Sequence, residues 1–222
     1  MTERETTLLL VRHGESVVTV RGVMGGEKSC EGLSGLGRRQ AEALRDRWKS
    51  GGEPAVDVLI SSTLPRARET AEVVNEHLGL VIEEHKDLEE HRPGSIDGMR
   101  FSDISQQWEA FDYIGRRHDR VADGAESASE FFFRVSRAFE DVLAAHKGKT
   151  ILVACHGGVI DVAFRTFLDL PARGHFDLFT LNTSITELRV DDHGPRRGRW
   201  RLMRYNDHAH LAGLPSETPR ES

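Results

Sequence analysis

Apolar residues in this chain follow two rhythms, short unbroken runs and longer stretches with apolar positions three or four apart. Leu8-Leu-Leu-Val11, Val56-Asp-Val-Leu-Ile60, Leu80-Val-Ile82 and Thr150-Ile-Leu-Val-Ala154 are of the first kind and read as strands, the third at a sheet edge. Phe179 to Val190 and Trp200 to Tyr205 read as the last strands. Between them lie helical patterns. Ser34 is an N-cap for a helix carrying Ala41, Leu44 and Trp48, ended by Gly51-Gly52. Pro65 sits in the first turn of a helix running through Ala67, Thr70, Ala71 and Val74 to His77. The segment from Phe101 to Arg117 reads as helical, with Ile104, Trp108, Phe111 and Tyr113 for packing. A long helix begins at Ala125-Glu-Ser and carries Phe131, Phe132, Val135, Phe139, Val142 and Leu143 as a core stripe. Val159 to Leu168 is the last amphipathic helix. Strands alternating with helices predict one α/β domain with a mainly parallel sheet over residues 1–214, and a polar, frayed tail over 215–222.

The polar residues that end the strands carry the chemistry. Leu8–Val11 stops at Arg12-His13-Gly14, and Thr150–Ala154 stops at Cys155-His156-Gly157-Gly158. Ligand sites in open α/β sheets lie beyond the carboxyl ends of the strands, so two such ends side by side would bring two histidines together. A neutral imidazole is a good nucleophile towards phosphorus, and a guanidinium holds phosphoryl oxygens bidentately. Arg66 follows another strand end near a helix N-terminus, a place suited to phosphate; alone, it reads equally as a solvated arginine. The loop from Val17 to Gly32, with glycines at 22, 25, 26 and 32, is either a ligand-closing segment with Arg21 as its anion-binding side chain or a plain connector. Glu89-Glu90 lies in a glycine- and proline-bearing loop.

Composition narrows the partners. The net charge of −6 gives no general attraction for nucleic acid or anionic membrane. No apolar run approaches a membrane span, and the start lacks the layout of a signal peptide. Cys30 and Cys155 have no metal-like spacing and fit a reducing cytoplasm. Self-association stays open.

Together Arg12, Arg66, His13, His156 and Glu90 form a phosphoryl-transfer set: cations to neutralise, one imidazole to attack, another to donate, and a carboxyl group to protonate the leaving alkoxide. The chain also resembles the histidine phosphatase (phosphoglycerate mutase-like) superfamily. The resemblance rests on Arg12-His-Gly-Glu-Ser16, Leu33-Ser34 with Gly37 and Gln40-Ala41, and Ser61-Ser-Thr-Leu-Pro-Arg-Ala-Arg-Glu-Thr-Ala71. It continues in Leu88-Glu-Glu90 with Gly94 and Gly98, Gly124-Ala-Glu-Ser127, Val153-Ala-Cys-His-Gly-Gly158 and Asn182-Thr-Ser-Ile-Thr-Glu-Leu188. These pieces span nearly the whole chain in the family's order. The resemblance implies a three-layer sandwich with helices flanking the sheet, and a phosphohistidine enzyme without metal or cofactor. It implies His13 as nucleophile, Arg12 and Arg66 as phosphate clamps with Gly157 beside them, His156 as the second pocket histidine and Glu90 as general acid and base. Glu89 falls on a variable position and reads as solvated. Thr19, Arg21 and Asn182 are the candidates for contact with the rest of the substrate. Thr19 and Val18 stand where many members carry asparagine and tryptophan.

A phosphatase and a mutase share this half-reaction and differ in what receives the phosphoryl group. The mutase-type run after the glutamate is replaced here by Glu90-His-Arg-Pro-Gly94, and the following segment is short. The resemblance therefore favours hydrolysis of a small phosphomonoester, with the mutase as the alternative. A catalytically silent phosphate-binding protein would lack a core residue, and none is missing. A metal hydrolase would need ligand spacing that the eleven histidines do not supply, and His208 and His210 read as structural. No role is assigned to Cys155.

Overall fold

A computed structural model describes residues 5–104, 111–112, 115–172, 176, 178–191 and 198–215. Its centre is a six-stranded sheet built from β1 (Thr6–Arg12), β2 (Val58–Ser61), β3 (Ile82–Glu84), β4 (Thr150–Cys155), β5 (Ile185–Val190) and β6 (Trp200–Asp207), in the order β3-β2-β4-β1-β5-β6. Three of its pairings are parallel and the two that involve β5 are antiparallel. The expected mainly parallel α/β sheet is what the chain forms.

Alternation along β1 distributes the core over both faces. Leu8 and Leu10 point to one side, where α4 (Ala128–Ala145) and α5 (Gly157–Phe167) bury Val135, Phe139, Val159 and Ile160 against them. Leu9 and Val11 point to the other, against Leu44 and Trp48 of α2 (Gly35–Lys49) and Ala71 and Val74 of α3 (Pro65–Leu78). Burial of each such side chain stabilises the fold by about 1.5–3 kcal/mol. Helix caps sharpen the boundaries: Ser34 Oγ accepts from Gly37 N, and Ser127 and Glu130 form a reciprocal capping box on α4.

Several boundaries differ from those read in the sequence. The edge strand starts at Ile82, because Gly79 takes a left-handed turn and the Asn75 amide bonds both the N–H and the carbonyl of Leu80. The loop after Ser16 opens with a short helix, α1 (Val17–Val20), capped by Ser16. Residues 179–184 are loop, with Thr183 at φ 55°, so β5 begins only at Ile185. Residues 101–104 are helical but 115–118 form a turn organised by Asp112, so the helix expected up to Arg117 stops short; Trp108 and Tyr113 lie outside the described residues. Most of the expected tail, 216–222, also lies outside them. Among the described residues no helix is long and apolar enough to cross a membrane.

Candidate active site

The register between β1 and β4 sets Arg12 opposite Cys155, so the next residue of each strand, His13 and His156, emerges at the same sheet edge. Their rings lie 5.1 Å apart, and His13 N donates to the Cys155 carbonyl at 2.9 Å. The turn after β1 is held tightly. Gly14 N donates to Thr70 Oγ1, Glu15 N to Gln40 Oε1, and Ser34 Oγ to Glu15 Oε1. A Cβ at Gly14 would lie 2.5 Å from the Gly37 carbonyl oxygen, so this crossing of the turn over α2 admits only glycine.

With Nδ1–H donating to the Gly14 carbonyl at 2.7 Å, the His13 Nε2 lone pair is left as an acceptor. Arg66 Nε donates to that Nε2 at 3.2 Å, while its Nη1 donates to the Gly25 carbonyl at 3.1 Å. Arg66 is buried in the first turn of α3, as its position beside Pro65 predicts. Burial, with Arg66 and Arg12 adding to it, holds the His13 pKa well below the usual histidine range. His156 is held low in the same way, by burial first and then by Arg66, His13 and Arg12. Both imidazoles are therefore neutral at pH 7.

A cavity of about 480 Å³ opens over this centre. Arg12, His13, Thr19, Arg66, Glu90 and Gly157 all line it, together with an apolar rim. Arg12 Nη1 donates to the Thr180 carbonyl. Glu90 reaches across from the loop after β3, where its carboxylate accepts from Gly158 N in the first turn of α5 at 2.9 Å and from His91 N at 2.9 Å. A Cβ at Gly158 would fall 2.3 Å from Glu90 Oε1, so the second glycine of His156-Gly-Gly makes room for the carboxylate. Two guanidinium groups, an imidazole whose Nε2 accepts from Arg66 and a carboxyl group thus face one cavity at the N-terminal end of α5.

Three expectations about this region are corrected. Arg21 does not reach the cavity: its guanidinium is exposed and paired with Glu31. Asn182 is buried away from the cavity, and its amide donates to the His13 carbonyl at 2.8 Å, so it positions the His13 backbone. Glu89 is not solvated but 2% exposed, accepting from Thr63 Oγ1 and from Arg92 Nε.

The sequence reading missed the residues behind the first line. Ser62 Oγ lies 2.8 Å from His156 Nε2, and His156 Nδ1 has no hydrogen-bond partner among the described residues. Arg134 donates to the Glu89 carbonyl at 3.1 Å and the Glu90 carbonyl at 3.3 Å, and pairs with Glu126 at 2.6 Å. Ser62 stands at a strand end and Glu126 within Gly-Ala-Glu-Ser, signals that could have found both; Arg134, one of many helical arginines, carries none. Cys155 is wholly buried beneath the site, where burial pushes its thiol pKa up, and it is inert. His210 contacts Thr183 Oγ1 and Arg47, a structural placement.

Fold and site define an α/β protein that gathers two neutral imidazoles, two guanidinium groups and a carboxyl group at the carboxyl ends of neighbouring strands. The chain belongs to the histidine phosphatase superfamily, branch 1, whose model matches residues 8–207. It is similar to a metal-independent phosphoserine phosphatase of Arabidopsis thaliana, 27% identical over 94% of this chain and 84% of that one. It is equally similar to phosphoglycerate mutase-like protein 4 of the same plant, 28% identical over 92% and 86%. Among solved structures, a mycobacterial glucosyl-3-phosphoglycerate phosphatase superposes with a TM-score of 0.75 at 26% identity, covering 92% of this chain and all of that one.

Proposed function

We propose that this protein hydrolyses phosphomonoesters through a phosphohistidine at His13. The observation that carries the reading is the His13 ring itself: Nδ1 is tied to the Gly14 carbonyl, so Nε2 faces a cavity in which Arg12, Arg66 and the α5 N-terminus converge. Nε2 attacks phosphorus as the ester P–O bond breaks, and the Glu90 carboxylic acid gives its proton to the departing alkoxide. The resulting Glu90 carboxylate then takes a proton from water, the water oxygen attacks the phosphohistidine, and inorganic phosphate leaves with Nε2 restored. Arg12, Arg66 and the helix terminus neutralise the equatorial oxygens, the task a divalent ion performs elsewhere. The curated relatives include phosphatase and mutase-like proteins alike; the similar solved phosphatase and the short chain after Glu90 support hydrolysis over transfer.

The test is brief exposure to a ³²P-labelled alkyl phosphate in the presence of EDTA. The expected product is an acid-labile, alkali-stable phosphoenzyme, mapped to His13 by mass spectrometry, with turnover undiminished by the chelator. Label on another residue, or activity restored only by a divalent ion, would sink the reading. Phosphate that moves to a second hydroxyl of the substrate, without release, would establish the mutase instead.

A further inference from the structure

Beyond the clamp, the cavity changes character. Six apolar residues, Val18, Val23, Met24, Phe101, Leu178 and Phe179, also line it. Phe179 is 66% exposed and Phe101 45%, costly placements for benzyl groups in the absence of a ligand. Both are fixed rather than loose. The Tyr205 hydroxyl donates to the Phe179 carbonyl, Arg12 to that of Thr180, and the Asn206 side chain accepts from Leu181 N at 2.7 Å. On the opposite wall, Phe101 N donates to the Gly22 carbonyl and Met24 N to that of Met99, both at 2.9 Å.

Charge selects in the same direction. Among the described residues lining the cavity, the cations are Arg12 and Arg66, both engaged at the phosphoryl end, and Glu90 is the anion. Arg21, which could have met a substrate carboxylate, is held outside by Glu31. The neighbouring cavity on the far side of Glu90, about 530 Å³, brings Glu27, Glu89, Asp97 and Asp123 against Lys28 and Arg92, and Arg92 is bound to Glu89. An anionic substituent would meet net repulsion on that side too.

We propose that the alcohol portion of the substrate is an uncharged apolar group, seated between Phe101 with Met24 on one wall and Phe179 on the other. This rests on the phosphatase reading above and names its substrate class. Among the described residues of the lining a carboxylate-bearing ester finds no cation beyond Arg12 and Arg66 at the phosphoryl end, whereas each methylene laid on these walls leaves water.

The experiment measures kcat/KM for ethyl, butyl and hexyl phosphate, whose leaving groups have closely similar basicity, beside O-phosphoserine and 3-phosphoglycerate. The expected result is a rise of about two- to threefold per methylene, with both carboxylate esters at or below ethyl phosphate. Phe179→Ser and Phe101→Ser, each at an exposed position, should flatten the dependence on chain length. A flat or falling alkyl series, or a preference for either carboxylate ester, overturns the apolar subsite while turnover itself leaves the phosphatase reading standing. Absence of turnover and of phosphoenzyme with every ester overturns both.

Discussion

The two strand ends that meet in this site are built from nearly the same residues and do different things. Arg12-His13-Gly14 leaves β1, Cys155-His156-Gly157 leaves the neighbouring β4, and both histidines are buried and neutral. Their ring nitrogens are spent differently. His13 uses Nδ1 on its own turn and offers Nε2 to the cavity that it lines. His156 uses Nε2 on Ser62, keeps Nδ1 unpartnered and is entirely covered. Which nitrogen is occupied, rather than which residue type stands at a strand end, separates the ring that lines the cavity from the ring beneath it, and on the proposed reading the nucleophile from its neighbour. The local backbone decides it. Gly14 turns its carbonyl back onto His13, whereas Gly157 enters α5 directly.

The sharpest way to break this comparison is to remove each histidine in turn. His13→Ala should lower kcat/KM by about 10⁴-fold or more and abolish phosphoenzyme, because it removes the imidazole on which the proposed covalent step depends. His156→Ala should slow phosphoenzyme formation by about 10²–10³, the usual cost of losing one donor to developing charge, yet still yield label on His13. Rapid quench with a labelled ester reads both. Equal loss of label in the two variants would make the strand ends functionally alike and erase the distinction.

Glu89 and Glu90 offer a second pair of neighbours with separate tasks. Glu90 faces the cavity on two backbone N–H groups, whereas Glu89 is buried between Thr63 and Arg92. Glu90→Gln removes a proton donor but keeps the shape, so alkyl phosphates should lose about 10²–10⁴ in rate. p-Nitrophenyl phosphate, which expels its leaving group without help, should lose far less. Glu89→Gln should spare the alkyl-to-aryl rate ratio and instead lower stability by about 1–3 kcal/mol, since it weakens the buried bonds that the carboxylate accepts from Thr63 and Arg92. Steady-state rates with both ester types, alongside urea unfolding, discriminate the two. A selective alkyl loss in Glu89→Gln would exchange their roles.

The fold and the first line of the site were legible because both are written in local pattern. Unbroken apolar runs mark strands buried on two faces, and a cation or imidazole immediately after such a run has to emerge at the sheet edge. Arg12, His13, Arg66 and His156 follow from that rule together with the family resemblance. What failed depends on long-range contacts that periodicity does not carry. Arg21 looked free because Glu31, ten residues on, becomes its neighbour only when the loop closes. Asn182 looked like a substrate contact and Glu89 like a solvated group because the partners that hold them, the His13 carbonyl and Thr63, are 169 and 26 residues away. Strand β5 was overextended because Thr183, β-branched and strand-like in sequence, takes a left-handed turn behind the site.

Where the two strand ends agree, they predict how the fold responds to acid. His13 and His156 both have pKa values below their unfolded value near 6.5, and His210, buried beside Arg47, is lowered to about 4. Below pH 6.5 the unfolded chain takes up protons that the folded chain refuses, so stability is fully present above that pH and falls as pH drops. For His210 the loss runs from about pH 6.5 to 4 and amounts to roughly 3 kcal/mol; the two site histidines add to it in the same direction. Urea midpoints between pH 7.5 and 4.5 should therefore decline before carboxylates protonate. His210→Gln should flatten the decline, and His156→Asn should flatten it too, whatever its effect on turnover. Inorganic phosphate, by adding negative charge beside His13 and His156, should raise their pKa values and offset part of the loss in wild type. A midpoint that stays level down to pH 5 would mean the histidines are charged or solvated in the folded state, and the neutral Nε2 assigned to His13 would fall with it.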